Sequence, residues 1–188
     1  MLPHMSFLTY KELTSLGIKS VGSNVLISRY AKLYNPGNMI FGNNIRIDDY
    51  CILSSGKNPF IFEDYIHIAG GVYIYGHAGF HIKKFSNISS ATKIYTQSDS
   101  YCGNFMIGPT IPIQFRNVYG SPLVIEKHVI IGTGVTILPG SIIGEGVAIG
   151  ANSLITKECK AWGIYVGSPA KYIKERSKKV LELEKELS

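Results

Sequence analysis

The sequence predicts an all-β solenoid, a chain wound into stacked coils of short strands. Three observations carry this. Aliphatic residues recur at Ile125, Ile131, Ile137, Ile143, Ile149 and Ile155, always six apart. Four positions after each stands a small or β-branched residue: Val129, Val135, Ser141, Val147, Ser153 and Cys159. Gly follows the aliphatic residue at Gly132, Gly144 and Gly150. A step of six walks around a helix of ~3.6 residues per turn, and it is not the alternation of an ordinary amphipathic strand. A unit made of one short strand and one turn satisfies it. The aliphatic side chain fills the axis, the small one avoids collision, and Gly supplies turn conformations that other residues resist.

The elements follow in order. Residues 1–20 read as an N-terminal helical cap: Thr9 with Glu12 forms a capping box and Gly17 a stop. Met5 offers a second start, so residues 1–4 stand apart from this reading. The β-helix array spans 21–168. Its early half runs Val21, Ile27, Leu33, then Phe41, Ile47, Leu53, then Phe62, Ile68, Ile74 and, after an eight-residue step, Ile82, Ile88, Ile94. With three units to a turn, about six or seven coils result. The departures "YNPGN", "SSGKNPF" and "HAGF" read as corner insertions. The longest departure, residues 99–123, reads as an extruded loop. A stretch of that length inside a compact array is functional or disordered, and Pro109 and Pro112 stiffen it against disorder. Residues 169–188 open with Pro169 and continue as a charged C-terminal helix, with Ile173, Val180 and Leu187 seven apart. That helix packs on its own solenoid or on a partner's. Covers at both ends are expected, because an open solenoid exposes unpaired strands.

Composition narrows the function. The 188 residues carry a net charge of +6 and an ordinary 45% hydrophobic content. No apolar run approaches the ~20 residues of a membrane span, and the N-terminus lacks the order of a signal peptide. A cytoplasmic location without membrane insertion is expected. Three cysteines give no disulfide framework. Cys51 and Cys159 fall at small inward positions, and Cys102 lies in the loop with no activating base beside it. A basic balance suits phosphorylated ligands, nucleic acid or acidic surfaces. No aromatic-plus-basic motif for nucleic acid is present, which favours small phosphorylated ligands. No Cys/His spacing for a metal, no phosphate loop and no Gly-x-Ser-x-Gly elbow occurs.

The array "IIGTGVTILPGSIIGEGVAIGANSLITKE", followed by "GIYVGSPAKYIKER", resembles the left-handed β-helix acyltransferases built of hexapeptide repeats. "NNIRIDDYCILSSG", "SDSYCG" and "GPTIP" look closest to the branch of sugar N-acyltransferases that serve bacterial surface polysaccharides such as O-antigen lipopolysaccharide, including enzymes for dTDP-4-amino-4,6-dideoxyglucose. The resemblance implies a left-handed parallel β-helix and a homotrimer. It implies acetyl-CoA or another acyl-CoA in a groove between subunits, with no metal, and a nucleotide-linked, dTDP-type amino sugar as acceptor. It also implies that the long loop reaches over the groove to a neighbouring subunit.

Site residues follow from the same resemblance. Galactoside acetyltransferases, a related branch, place a catalytic His where the loop begins; here the place reads Ser98-Asp99-Ser100. A sugar hydroxyl benefits from a strong base. A sugar amine, with a pKa near ~8 by analogy with the α-amino group, is partly neutral already, and a carboxylate suffices to take its proton. Asp99 is therefore the candidate base, with an Asx turn as its plain structural reading. His77 is a candidate catalytic or substrate-binding group, close in the stack to Asp99. His67, preceding the axial Ile68, should point outward and is a candidate substrate contact. His128 is expected on the surface. Ser89 and Ser90 would donate to the sugar or the oxyanion, or simply turn the chain. Thr133 and Gly134 in "IIGTG", Ala151 in "GANS", and Thr156-Lys157 match CoA-contacting positions. Lys171 and Lys174 match those facing its phosphates. Two other functions remain open on sequence: an O-acetyltransferase with His77 or His67 as base, and a non-catalytic β-helix binding scaffold.

Overall fold

The computed structural model describes residues 6–187; His4 and the question of the first four residues lie outside them. Each repeat unit gives a short strand whose axial residue is buried while its neighbours face out. The strands build three parallel faces. Face 1 stacks Ser20–Val21, Met39–Phe41, Phe60–Phe62, Phe80–Ile82, Leu123–Ile125, Ile142–Ile143 and Glu158–Cys159. Face 2 stacks Val25–Ile27, Ile45–Ile47, Ile66–Ile68, Asn87–Ile88, Ile130–Ile131, Ala148–Ile149 and Gly163–Gly167. Face 3 stacks Lys32–Tyr34, Ile52–Ser55, Tyr73–Gly76, Lys93–Tyr95, Thr136–Ile137 and Leu154–Ile155. The chain visits the faces in the order 1, 2, 3, so each coil has corners 1/2, 2/3 and 3/1.

Registration is axial residue on axial residue: Ile47 opposite Ile68 and Ile94 opposite Ile137. Cys159, expected at a small inward position, instead takes the axial slot opposite Ile143, because only a short corner separates it from Ile155. Ile27, Ile47, Ile68, Ile88, Ile131 and Ile137 are fully buried, as are the inward small residues Cys51 and Val135. Each buried Ile contributes about 1.5–3 kcal/mol relative to exposure. The early coils are filled by Phe41, Phe60, Phe62 and Phe80, with ring centroids 4.9 to 5.7 Å apart.

The glycines after the axial residues have a different cause from the one their sequence position suggested. Gly132, Gly144 and Gly150 do not adopt positive φ. They are small because the next coil is too close: a Cβ would stand 2.7 Å from the Ala151 nitrogen, 2.6 Å from the Ala161 nitrogen and 2.5 Å from Val166 Cγ1, respectively. At corner 1/2 the left-handed conformation falls on Asn24, Asn44, Tyr65, Phe85, His128 and Trp162. Stacking of Tyr65 on Phe85 (5.0 Å) and Phe85 on His128 (5.3 Å) offsets part of that backbone cost.

The ends are covered. Helix α1 (Tyr10–Ser15) carries the Thr9–Glu12 capping box, and Arg29 grips the Glu12 carboxylate at 2.7 and 2.8 Å. The C-terminal segment differs from the helix expected over 169–188. Ala170–Glu175 is a strand, antiparallel to Gly163–Gly167, and helix α2 covers only Val180–Leu187. The open edge of face 2 demands hydrogen-bond partners, and the segment satisfies it as a strand; Ile173 thus leaves the supposed heptad. Helix α2 docks on its own solenoid through Glu184, which meets Lys127 Nζ and His128 Nε2 at 2.7 Å each. His128, expected on the surface, is only 6% exposed. The aromatic ladder and the C-terminal chain enclose it, with Arg176 donating to its carbonyl at 2.6 Å.

Candidate active site

The four departures from the repeat share one location. "YNPGN", "SSGKNPF", "HAGF" and the long loop all lie where face 3 hands over to face 1. Corner 3/1 is therefore the one built from irregular chain, and both Asp99 and His77 belong to it. The loop leaves as Gln97–Asp99 and returns as Val118–Gly120, paired antiparallel with Asp99 opposite Val118. The Ser121 amide donates to the Thr96 carbonyl at 2.9 Å, closing the neck.

The Asp99 side chain is 29% exposed and held from two sides. The Gly108 amide donates to Oδ2 at 3.2 Å, and Arg116 Nη2 donates to Oδ1 at 3.3 Å. A carboxylate offers about four acceptor sites, so the anion keeps capacity for a substrate N–H. A cavity of about 630 Å³ opens beside it, walled by Tyr101, Phe105, Met106, Ile107 and Ile111. The loop is apolar yet outward-facing: Tyr101 is 92% and Ile113 73% exposed.

His77 is exposed, and its Nε2 lies 2.9 Å from Ser54 Oγ. No hydrogen bond or ion pair joins it to Asp99 among the described residues. Tyr75 and Tyr95 stack beside this corner at 5.5 Å; burial raises the Tyr95 phenol, with Tyr75 and Tyr101 adding to the effect. His67 faces outward on face 2, away from the corner. Its two ring nitrogens meet Asp48 at 2.8 Å and Asn87 at 2.9 Å, so it bridges coils.

Corner 2/3 gathers a second group. The Gly134 amide donates to the Ser90 carbonyl at 3.0 Å, and the Asn152 amide donates to the Thr133 carbonyl at 2.8 Å. Ser89-Ser90, Thr133-Gly134 and Ala151 thus form successive rungs of one ladder, with Ser90, Thr133 and Ala151 exposed. Thr156 and Lys157 lie on corner 3/1 instead, bordering a cavity of about 180 Å³ with Pro169 and Ala170. Lys171 and Lys174 stand on the return strand opposite Val166 and Ile164. Lys157, Lys171 and Lys174 are exposed and carry no ion pair among the described residues, leaving three cations around the C-terminal coils.

These features meet known proteins over nearly the whole chain. Residues 122–157 match a family model described as "Bacterial transferase hexapeptide (six repeats)". The dTDP-4-amino-4,6-dideoxy-D-glucose acyltransferase of Escherichia coli is 46% identical over 180 residues, 96% of this chain and 94% of that one. The chain belongs to the hexapeptide-repeat acyltransferases. Within this family, AntD, an N-acyltransferase from Bacillus cereus solved with dTDP and 3-hydroxybutyryl-CoA, superimposes with a TM-score of 0.91 at 48% identity, covering 97% of this chain and 96% of that chain. A serine-to-alanine variant of AntD, solved with dTDP-4-amino-4,6-dideoxyglucose and coenzyme A, gives 0.92 at 46% identity, covering 97% of each.

Sequence reading missed two partners in this acyltransferase. Arg116 and Gly108 lie 17 and nine residues beyond the Asp99 they hold. No fixed spacing announces such a pair. Pairing "QSD" with "VYG" as a hairpin would have placed Arg116 two residues before the partner of Asp99.

Proposed function

We propose that this chain transfers an acyl group from acyl-CoA to the amine of a nucleotide-linked amino-deoxy sugar, with Asp99 as the base. The observation that carries this is the carboxylate itself, presented at the mouth of the insertion corner beside the loop cavity. The sugar nitrogen attacks the thioester carbonyl, the carbon–sulfur bond breaks, and the amide forms. Asp99 accepts the proton that the nitrogen sheds, and the departing CoA thiolate takes up a proton to become the thiol. A further feature supports the assignment. AntD has been solved with one aspartate replaced and with one serine replaced, and those residues stand ten apart in its chain. Ser89 and Asp99 stand ten apart here.

The placement of the two groups bears on assembly. Ser89, Thr133, Gly134 and Ala151 are on corner 2/3, whereas Asp99 is on corner 3/1, with the full width of face 3 between them. A site that uses both needs two copies, corner to corner, and the exposed apolar loop supplies the contact. This favours the homotrimer with its active sites in the grooves. Lys171 and Lys174 then meet CoA phosphates, and His77 with Ser54 meets the sugar nucleotide. An acceptor of this class fits a role in surface-polysaccharide synthesis. His67, engaged at both nitrogens, is poorly suited to be the base of an O-acetyltransferase.

The test is turnover of purified protein with acetyl-CoA or 3-hydroxybutyryl-CoA and dTDP-4-amino-4,6-dideoxyglucose, followed by loss of the thioester absorbance. Asp99→Asn should lower kcat by at least about 100-fold, the range of general-base contributions, while leaving CoA affinity unchanged. No turnover with any amino-sugar nucleotide sinks the proposal, and an unchanged kcat removes Asp99 as the base.

A further inference from the structure

We propose that Arg116 is the positioning residue for Asp99, acting on acyl transfer through that carboxylate and not through the fold; this rests on the reading of Asp99 as the base. Four observations converge. Arg116 Nη2 donates to Asp99 Oδ1 at 3.3 Å, and the Arg116 side chain is only 16% exposed. Its Nε is buried and has no hydrogen-bond partner, the one such buried side-chain atom among the described residues. An arginine recruited to stabilise the loop would have its buried donors satisfied by the loop; an orphan donor is an exception that asks for a reason. Here the guanidinium is oriented for a single acceptor, Asp99, at the expense of its own Nε.

The backbone at both ends of the pair is fixed. The Ser100 amide donates to the Asn117 carbonyl at 2.9 Å, locking the hairpin one residue from each partner. Arg116 is also bridged to Met106 and donates its amide to the Ile113 carbonyl at 3.1 Å. The fourth observation is the division of labour on the carboxylate. Arg116 takes Oδ1 and the Gly108 amide takes Oδ2, so rotation about the terminal torsion is blocked from both sides. Without Arg116 the carboxylate has one tether left and swings. A base displaced by about 1 Å loses on the order of 100-fold in rate.

The experiment compares wild type, Arg116→Gln, Asp99→Asn and the double variant for kcat, acceptor KM and CoA affinity. Arg116→Gln should lower kcat by about 100-fold with CoA affinity unchanged. Placed on Asp99→Asn, it should cost less than about threefold more, because the group it positions is already gone. Arg116→Lys, which keeps the charge, should recover part of the rate, and added guanidinium ion should raise kcat of Arg116→Ala. The proposal is overturned if Arg116→Gln matches wild type, or if its loss multiplies in full on Asp99→Asn. A wild-type kcat for Asp99→Asn would instead bring down the base assignment, and this inference with it. If Arg116→Gln fails to fold, the lysine variant and guanidinium rescue decide, and absence of both effects counts against the proposal.

Discussion

Replacing Gly132 with Ala tests whether corner 2/3, the proposed cofactor track, is set by coil spacing. A Cβ at this position would stand 2.7 Å from the Ala151 nitrogen, 2.8 Å from the Ile149 oxygen and 3.0 Å from the Gly150 carbonyl carbon. All three are backbone atoms of the next coil, so no side chain can rotate away. Ordinary contacts lie near ~3.5–4.0 Å, and the coils must therefore part by roughly 0.5–1 Å at corner 2/3. Overpacking of this kind costs about 1–3 kcal/mol. For a chain of this size that corresponds to roughly 2–12 °C in Tm. Gly144→Ala is the matched control: its Cβ would meet the Ala161 nitrogen at 2.6 Å, but at corner 1/2. Thermal unfolding by circular dichroism should show a loss for both variants. Calorimetry should show CoA affinity falling at least about tenfold, or ~1.4 kcal/mol, for Gly132→Ala alone. A Tm within about 1 °C of wild type would refute the spacing argument. Equal CoA binding by the two variants would refute corner 2/3 as the cofactor track.

Two further predictions read the ionisable groups. Burial pushes the thiols of Cys51 and Cys159 up to about 11 each, whereas the hydroxyl of Ser100 lowers the exposed thiol of Cys102. A disulfide reagent at neutral pH should therefore find one fast thiol per chain, slowed by Ser100→Ala; three fast thiols would mean the solenoid core is open. The second concerns α1. Hydrogen bonds from Arg29 and then Thr9 lower Glu12 from 4.5 to about 2. A depressed carboxylate stabilises the folded state fully above its unfolded pKa and loses that contribution as pH falls through the folded value. Protection of the Leu13 amide, which donates to the Thr9 carbonyl at 2.9 Å, should hold at pH 5 and fade between about 4.5 and about 2. Glu12→Gln should abolish that pH dependence, and an unchanged profile would count against the capping account.

What could be read from sequence was what the period dictates. The axial column Ile125 to Ile155, the inward Cys51 and the capping box are local consequences of one repeating unit, and each lies where the spacing put it, whereas Cys159 falls in an axial slot because the last 3/1 corner is short. The C-terminal strand was not legible. "AKYIKE" has acceptable helix propensity, and only the unpaired edge of face 2, a tertiary fact, makes it a strand. His128 was misread for a related reason. Its burial depends on Phe85, Trp162 and Glu184, which lie 43, 34 and 56 residues away in sequence. Arg116 was invisible because irregular loops have no period from which a contact can be inferred.

The same contrast bears on where the proposed site sits. A regular coil sends one residue inward and its neighbours outward at fixed spacing, which makes good ladders such as Ser90, Thr133 and Ala151 but a flat surface. A flat surface can support an extended cofactor along the stack. It can hold a carboxylate from two sides, as Arg46 and His67 hold Asp48, but it raises no wall over it like the one that Tyr101, Phe105 and Ile107 build beside Asp99. The enclosing groups must come from chain that has left the repeat, and they must return to be rigid. The neck at Thr96 and Ser121 and the pairing of Gln97–Asp99 with Val118–Gly120 meet that requirement. The loop that breaks the repeat is thus the price of presenting Asp99, and Arg116 and Gly108, deep within the same loop, are the residues that make the presentation firm.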